Sequence, residues 1–339
     1  MKTLLILPII VSSLMASFTS YAQCTSSPVL QSDSKFPQSL RGRLIYHSYS
    51  DYGSGSSNLF LKNFRTNTLV QLNQASWNIE DPMNAHFSPN GRYIVFMGKQ
   101  NTRWNIFIWK PGSSLAPINL TNHTQDSSDV SEDPKFSPDG NYIVYKNNAD
   151  IVLSRLTFAN PDAPLLGTSS RLTNNGYDTE ESMPYFSTNG KSVFYSQGAG
   201  ANSDIYRVNF KIKYNQLVAD TPSLVTGKEG LSEYYPVTKN NALFFVSWKD
   251  ALTKMDQIYW YLPNLQGQPV ELSLNDCNAD NSDPAPIDNA NIFFSSNRGD
   301  KFYRLYVGNI YTGKVWSMSN LGVNEAQKHQ LGASYTNTR

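Results

Sequence analysis

A short turn signal recurs along this chain at an almost constant interval. It reads Ser88-Pro-Asn-Gly, Ser137-Pro-Asp-Gly and Ser187-Thr-Asn-Gly, with looser copies at Ser39-Leu-Arg-Gly, Thr238-Lys-Asn-Asn and Ile287-Asp-Asn-Ala. Successive copies lie 49, 49, 50, 51 and 49 residues apart. Each element of the signal is turn chemistry: Pro presets φ, Asn and Asp bond their own backbone, and Gly accepts positive φ. Self-similarity at one period of this size means stacked or ring-arranged units, each unable to bury its apolar surface alone.

The residues around each turn give the unit its content. A strand-like run follows every copy: Arg43–Tyr46, Tyr93–Phe96, Tyr142–Tyr145, Ser192–Tyr195, Leu243–Val246 and Asn291–Phe294. After a polar loop comes a third strand, at Asn58–Leu61, Asn105–Ile108, Asp150–Leu153, Asp204–Arg207, Gln257–Trp260 and Arg304–Val307. A more polar fourth strand closes each unit, for example Val70–Leu72 and Glu271–Ser273. Aromatic and β-branched residues dominate these runs, and no 3.6-residue periodicity separates them. Four short antiparallel strands repeated six times predict an all-β chain, a six-bladed β-propeller of four-stranded antiparallel blades. A parallel β-helix has a shorter period, and a sandwich does not repeat six times.

The pattern Pro-x-Phe-Ser-Pro-Asp/Asn-Gly-x-x-Ile-Val-Phe/Tyr, followed by Asp/Asn-Ile-Tyr/Phe, resembles the TolB-like propeller repeat of Gram-negative envelope proteins. The match is closest at Asp133–Leu156, good at Asn84–Trp109 and Pro184–Val208, and spans roughly Ser39 to Ser319. The resemblance implies a propeller that binds protein partners in the bacterial envelope. TolB carries a further α/β domain ahead of its propeller, whereas only Gln23–Gln38 stands between the first unit and the leader read below.

Residues 1–22 read as a secretory signal, with Lys2 before an apolar core and Ser20-Tyr21-Ala22 at the cleavage site. No later run approaches the roughly 18 apolar residues of a membrane span. The expectation is an exported protein, periplasmic or secreted, with 23–38 as an N-terminal closing segment, 39–320 as the propeller and 321–339 as a C-terminal tail. Lys and Arg number 28 against 27 Asp and Glu, so there is no basic excess to hold nucleic acid. Cys24 and Cys277 are the only cysteines. If Asp33–Gln38 supplies the first strand of blade one, Cys24 falls beside the loop that holds Cys277, and a disulfide across the ring closure is expected.

Candidate binding residues cluster where the chain enters each unit: Asp81, Glu132, Asp133, Glu181, Glu233 and Asp283, with His86 a few residues further on. In a propeller these connections share one face around the central funnel. They form either a carboxylate rim that could hold Ca²⁺ or a basic ligand, or loop acids that keep the surface solvated. The long loops between second and third strands, His47–Ser57, Met97–Trp104 and Ser247–Asp256, carry Tyr49, Tyr52, Trp104 and Trp248. These rings either meet a partner or pack between blades. No nucleophile elbow and no paired metal-ligand spacing occurs, so no catalytic set is assigned and no cofactor is required. The expected function is an exported binding or scaffolding propeller for a protein or glycan. The alternative is a polysaccharide or oligogalacturonide lyase with a metal-assisted funnel site that includes His86.

Overall fold

In a computed structural model, the chain folds as six antiparallel sheets arranged in a ring. The structure describes residues 28–33, 35–123, 127–176, 179–214, 216–263 and 267–338. The turn chemistry acts as the sequence suggests. Gly91, Gly140 and Gly190 donate their N–H groups to the carbonyls of Ser88, Ser137 and Ser187, at 2.8, 2.9 and 2.9 Å. All three glycines have positive φ.

Blades two to six each run outward from an innermost strand. Those strands are Glu80–Phe87, Ser131–Phe136, Glu181–Phe186, Glu233–Lys239 and Asn281–Pro286. Blade one is assembled differently. Its innermost strand is His329–Thr336, paired antiparallel with Arg43–Tyr49, and Asn58–Asn63 and Thr68–Gln71 complete the sheet. This corrects the expectation that Asp33–Gln38 supplies that strand and that 321–339 is a tail. Lys35–Ser39 is a short helix instead. Val29–Leu30 pairs in parallel with the outer strand of blade six, and Phe36 lies 5.0 Å from Trp316. One blade built from both ends of the chain closes the ring by hydrogen bonds rather than by covalent continuity. Cys24 and the leader expected at 1–22 lie outside the described residues.

The core is divided among the blade interfaces. Phe87 packs with Ile45 and Leu59 of blade one and Phe96 of blade two. Phe136 joins Val95 to Ile143, and Phe186 joins Val144 to Val193, at the next two interfaces. At the closure, Leu44, Tyr46 and Phe60 meet Ile287, Phe293 and Val307. Each blade thus buries both faces, which is why its middle strands are continuously apolar.

A bulge interrupts every innermost strand. Asn84, Asp133, Met183, Tyr235, Asp283 and Gly332 all have φ between 51 and 61°, each followed by Pro or Ala. At each, two residues stand opposite one on the neighbouring strand. A bulge tolerates the missing N–H of Pro and re-aims the side chains around it. Six bulges at one level mark the position where the inner strands meet the channel.

Candidate functional site

Strand direction alternates across each blade, so the start of the innermost strand and the loop between second and third strands share one end of the ring. The expected acids and loop aromatics therefore occupy the same face, the funnel mouth. The carboxylates are neither loosely solvated nor gathered into one group. Asp81, only 1 % exposed, pairs with Lys99 at 2.9 Å. Glu132 pairs with Lys146 at 3.0 Å, and Lys146 reaches Glu180 of the next blade at 2.8 Å. Asp133 accepts from Asn84 Nδ2 at 2.6 Å. Asp283 accepts from the N–H of Gly332 at 2.9 Å. Buried Glu181 accepts from Thr173 and Asn175, and Glu233 is fully buried. Among the described residues, no three His, Cys, Asp or Glu side chains group as metal ligands.

Burial without full compensation raises several of these groups. Burial pushes Glu181 up to about 7, against the hydrogen bonds it accepts. Asp256, behind the rim, is likewise pushed up to about 7 by burial; Tyr234 hydrogen-bonds it, and Asp280 and Asp283 add like charge. Burial also raises Asp283.

The loop aromatics divide into two kinds. Trp104 is half-buried against the interface of blades two and three, with Lys99 Nζ 4.7 Å above its ring. Trp248 is half-buried with Lys254 Nζ at 5.2 Å. Tyr49 stacks between His47 at 5.7 Å and His329 at 5.4 Å. Tyr52 alone of the four is well exposed, at 66 %. Lys99 pins its loop by donating to the carbonyl of Gly53 at 3.1 Å. The Tyr52 hydroxyl stands near Glu132, Asp133 and Asp81 of the mouth.

Beyond the mouth, the channel holds a cavity of roughly 60 Å³ lined by His86, Lys135, Tyr185, Tyr235 and Ser334, with Val237, Ala285 and Ala333 among its apolar walls. His86 Nδ1 accepts the N–H of Phe136 at 3.2 Å. The proton of the neutral ring therefore sits on Nε2, which faces the Tyr185 hydroxyl at 3.4 Å. Burial, with Lys135 adding to it, pushes His86 down to about 3. Both ring nitrogens of this neutral imidazole are engaged, so it has no free lone pair for proton abstraction. His123 lies elsewhere, bonded to Ser131 at 2.9 Å. Lys135, Tyr185 and Tyr235 were not singled out from sequence as binding residues. Lys135 and Tyr185 occupy the repeat position of His86, which was the signal available. Arg298, in the Arg298-Gly-Asp300 tripeptide, is buried over Phe294 and Tyr306 at 5.0 and 5.2 Å.

Six four-stranded blades around a channel define the class as a β-propeller. Within it, the chain has a TolB-like propeller fold. It aligns with TolB from Acinetobacter baumannii at a TM-score of 0.60 and 13% identity, over 87% of this chain and 66% of that one. A structure assigned to TolB from Agrobacterium tumefaciens gives 0.53 and 16%, over 88% and 99%. Hydrazine synthase from Kuenenia stuttgartiensis also gives 0.60, at 12% identity, over 87% of this chain and 47% of that one. No family model matches the chain, and no curated protein sequence matches it. At these identities the likeness carries the fold, and function has to be argued from the site. No helix among the described residues is long and apolar enough to cross a membrane.

Proposed function

We propose that this protein is an exported scaffold that binds a protein partner on its funnel face, with Tyr52 as the leading contact. The observation that carries this reading is the exposed Tyr52 ring on a loop pinned by Lys99, beside a mouth of buried, partnered carboxylates. A rigid, amphipathic aromatic at a concave mouth is the kind of anchor on which protein interfaces concentrate their energy. The TolB-like fold supports the same class, and the leader-like Met1–Ala22 supports export. The lyase alternative draws little support, because both nitrogens of His86 are engaged.

Photo-crosslinking tests this reading. A benzophenone amino acid at Tyr52 should give a discrete adduct with one envelope or secreted protein. The same group at Asn189, in a turn on the opposite face, should give none. Absence of a Tyr52 adduct, or equal adducts from both positions, would overturn the assignment. Amino-terminal sequencing of the protein from its source cells should begin at Gln23.

A further inference from the structure

Lys135 sits on the innermost strand of blade three, is only 9 % exposed, and lines the central cavity. Its ammonium has no hydrogen bond and no ion pair among the described residues, although burying a lone cation is costly. Asp133 and Asp283 favour its charged form through space, while burial opposes it. Neither forms an ion pair with it, and each has a hydrogen-bond partner of its own.

The neighbouring groups present protons to the same space. His86 Nε2 donates to Tyr185, which leaves the Tyr185 O–H free to donate. Ser334 Oγ accepts the N–H of Phe87 at 3.2 Å, which leaves its own O–H free. Lys135 is the charged residue on the wall, opposite the apolar surface of Val237, Pro284 and Ala333. We infer that the central channel holds a carboxylate-binding site, in which the Lys135 ammonium and the Tyr185 and Ser334 hydroxyls take the two oxygens and the apolar wall takes a short alkyl group. A monoanion is favoured over phosphate or sulfate: Lys135 is the single cation on the wall, and each further negative charge on a ligand adds to the repulsion from Asp133 and Asp283. The small cavity points the same way. The carboxylate could be a free short-chain acid or the C-terminus of a peptide threaded into the channel. The inference does not rest on the funnel-face reading.

Calorimetric titration with sodium acetate tests it, in chloride-free HEPES with ionic strength held by sodium sulfate. Wild-type protein should bind acetate saturably at one site per chain. Lys135→Met should weaken binding by about tenfold or more, and Lys135→Arg should retain it. If Lys135→Met does not fold, Tyr185→Phe and Ser334→Ala, which keep the charge, should each weaken binding several-fold. Trialanine and its C-terminal amide separate the two sources. Binding of the acid but not the amide assigns a peptide terminus; binding of acetate alone assigns a small free acid. No saturable binding of acetate or trialanine to wild type, or binding undiminished in the variants, would overturn the site.

Discussion

The carboxylate of Asp283 accepts a hydrogen bond from the backbone N–H of Gly332, 2.9 Å away and 49 residues later in the chain. That separation is one repeat period. The bond ties the innermost strand of blade six to the C-terminal strand that completes blade one, beside the channel that Lys135 lines. Gly332 is held at φ 61°, and a Cβ there would meet the His47 ring at 2.6 Å. Closure therefore depends on a backbone position that only glycine fills without strain.

The first prediction concerns that closure. Deleting residues 329–339 removes the whole inner strand of blade one and should abolish cooperative unfolding. Deleting residues 1–32 removes a short parallel edge together with Cys24 and should lower the melting temperature without abolishing the cooperative transition. Gly332→Ala should destabilise by about 1–3 kcal/mol. Denaturant melts followed by tryptophan fluorescence distinguish the three, and equal effects of the two deletions would contradict the observed order of strands.

Phe136 is 4 % exposed and wedged between blades two and three. Phe136→Ala should cost about 3–5 kcal/mol, as for other buried aromatics. A loss below about 1 kcal/mol in urea melts would show that this interface is not packed as described.

The six blades were legible because turn chemistry and strand composition are local. Ser137-Pro-Asp-Gly and the run after it carry their own instructions. Which end of the chain completes blade one is a long-range question, and the segment nearest in sequence, Asp33–Gln38, was the natural but wrong choice. The signal lay one step further along the period. Tyr335-Thr336 falls 49 residues after Pro286-Ile287 and repeats the aromatic-hydroxyl pair of Phe136-Ser137. The site was legible in part. Asp81, Glu132 and Asp283 belong to the mouth, but their partners Lys99, Lys146 and the Gly332 N–H come from other strands, and no local pattern predicts such pairs. Lys135 was visible as the repeat equivalent of His86, but its lack of a partner appears only in three dimensions.

Asp256 offers a pH test. Burial raises its folded value to about 7, from an ordinary value of 3.8. The folded state thus holds this proton more tightly than the unfolded state. Its contribution to stability is full below about pH 4 and is lost as pH rises through about 7. Asp256→Asn keeps an acceptor for Tyr234 and has no charge to bury. The variant should therefore melt higher than wild type at pH 8, with the difference shrinking towards pH 4. A gap that grows on acidification would reverse the sign.

The Cys24–Cys277 disulfide remains a proposal from sequence. The loop it closes is long, so the chain-entropy model gives roughly 4–5 kcal/mol. Thiol titration of denatured, unreduced protein carrying Cys24 should find no free thiol. Two free thiols per chain would remove the clasp.

The funnel-face assignment is tested most directly by hydrogen exchange, with the partner identified through the Tyr52 crosslink. Peptides covering residues 50–57, 79–83 and 130–133 should exchange more slowly in the complex than in the free protein. Peptides covering the turns at 88–91, 137–140 and 187–190, on the opposite face, should be unchanged. Protection confined to those turns, with the funnel loops exchanging as in the free protein, would contradict the proposed binding face.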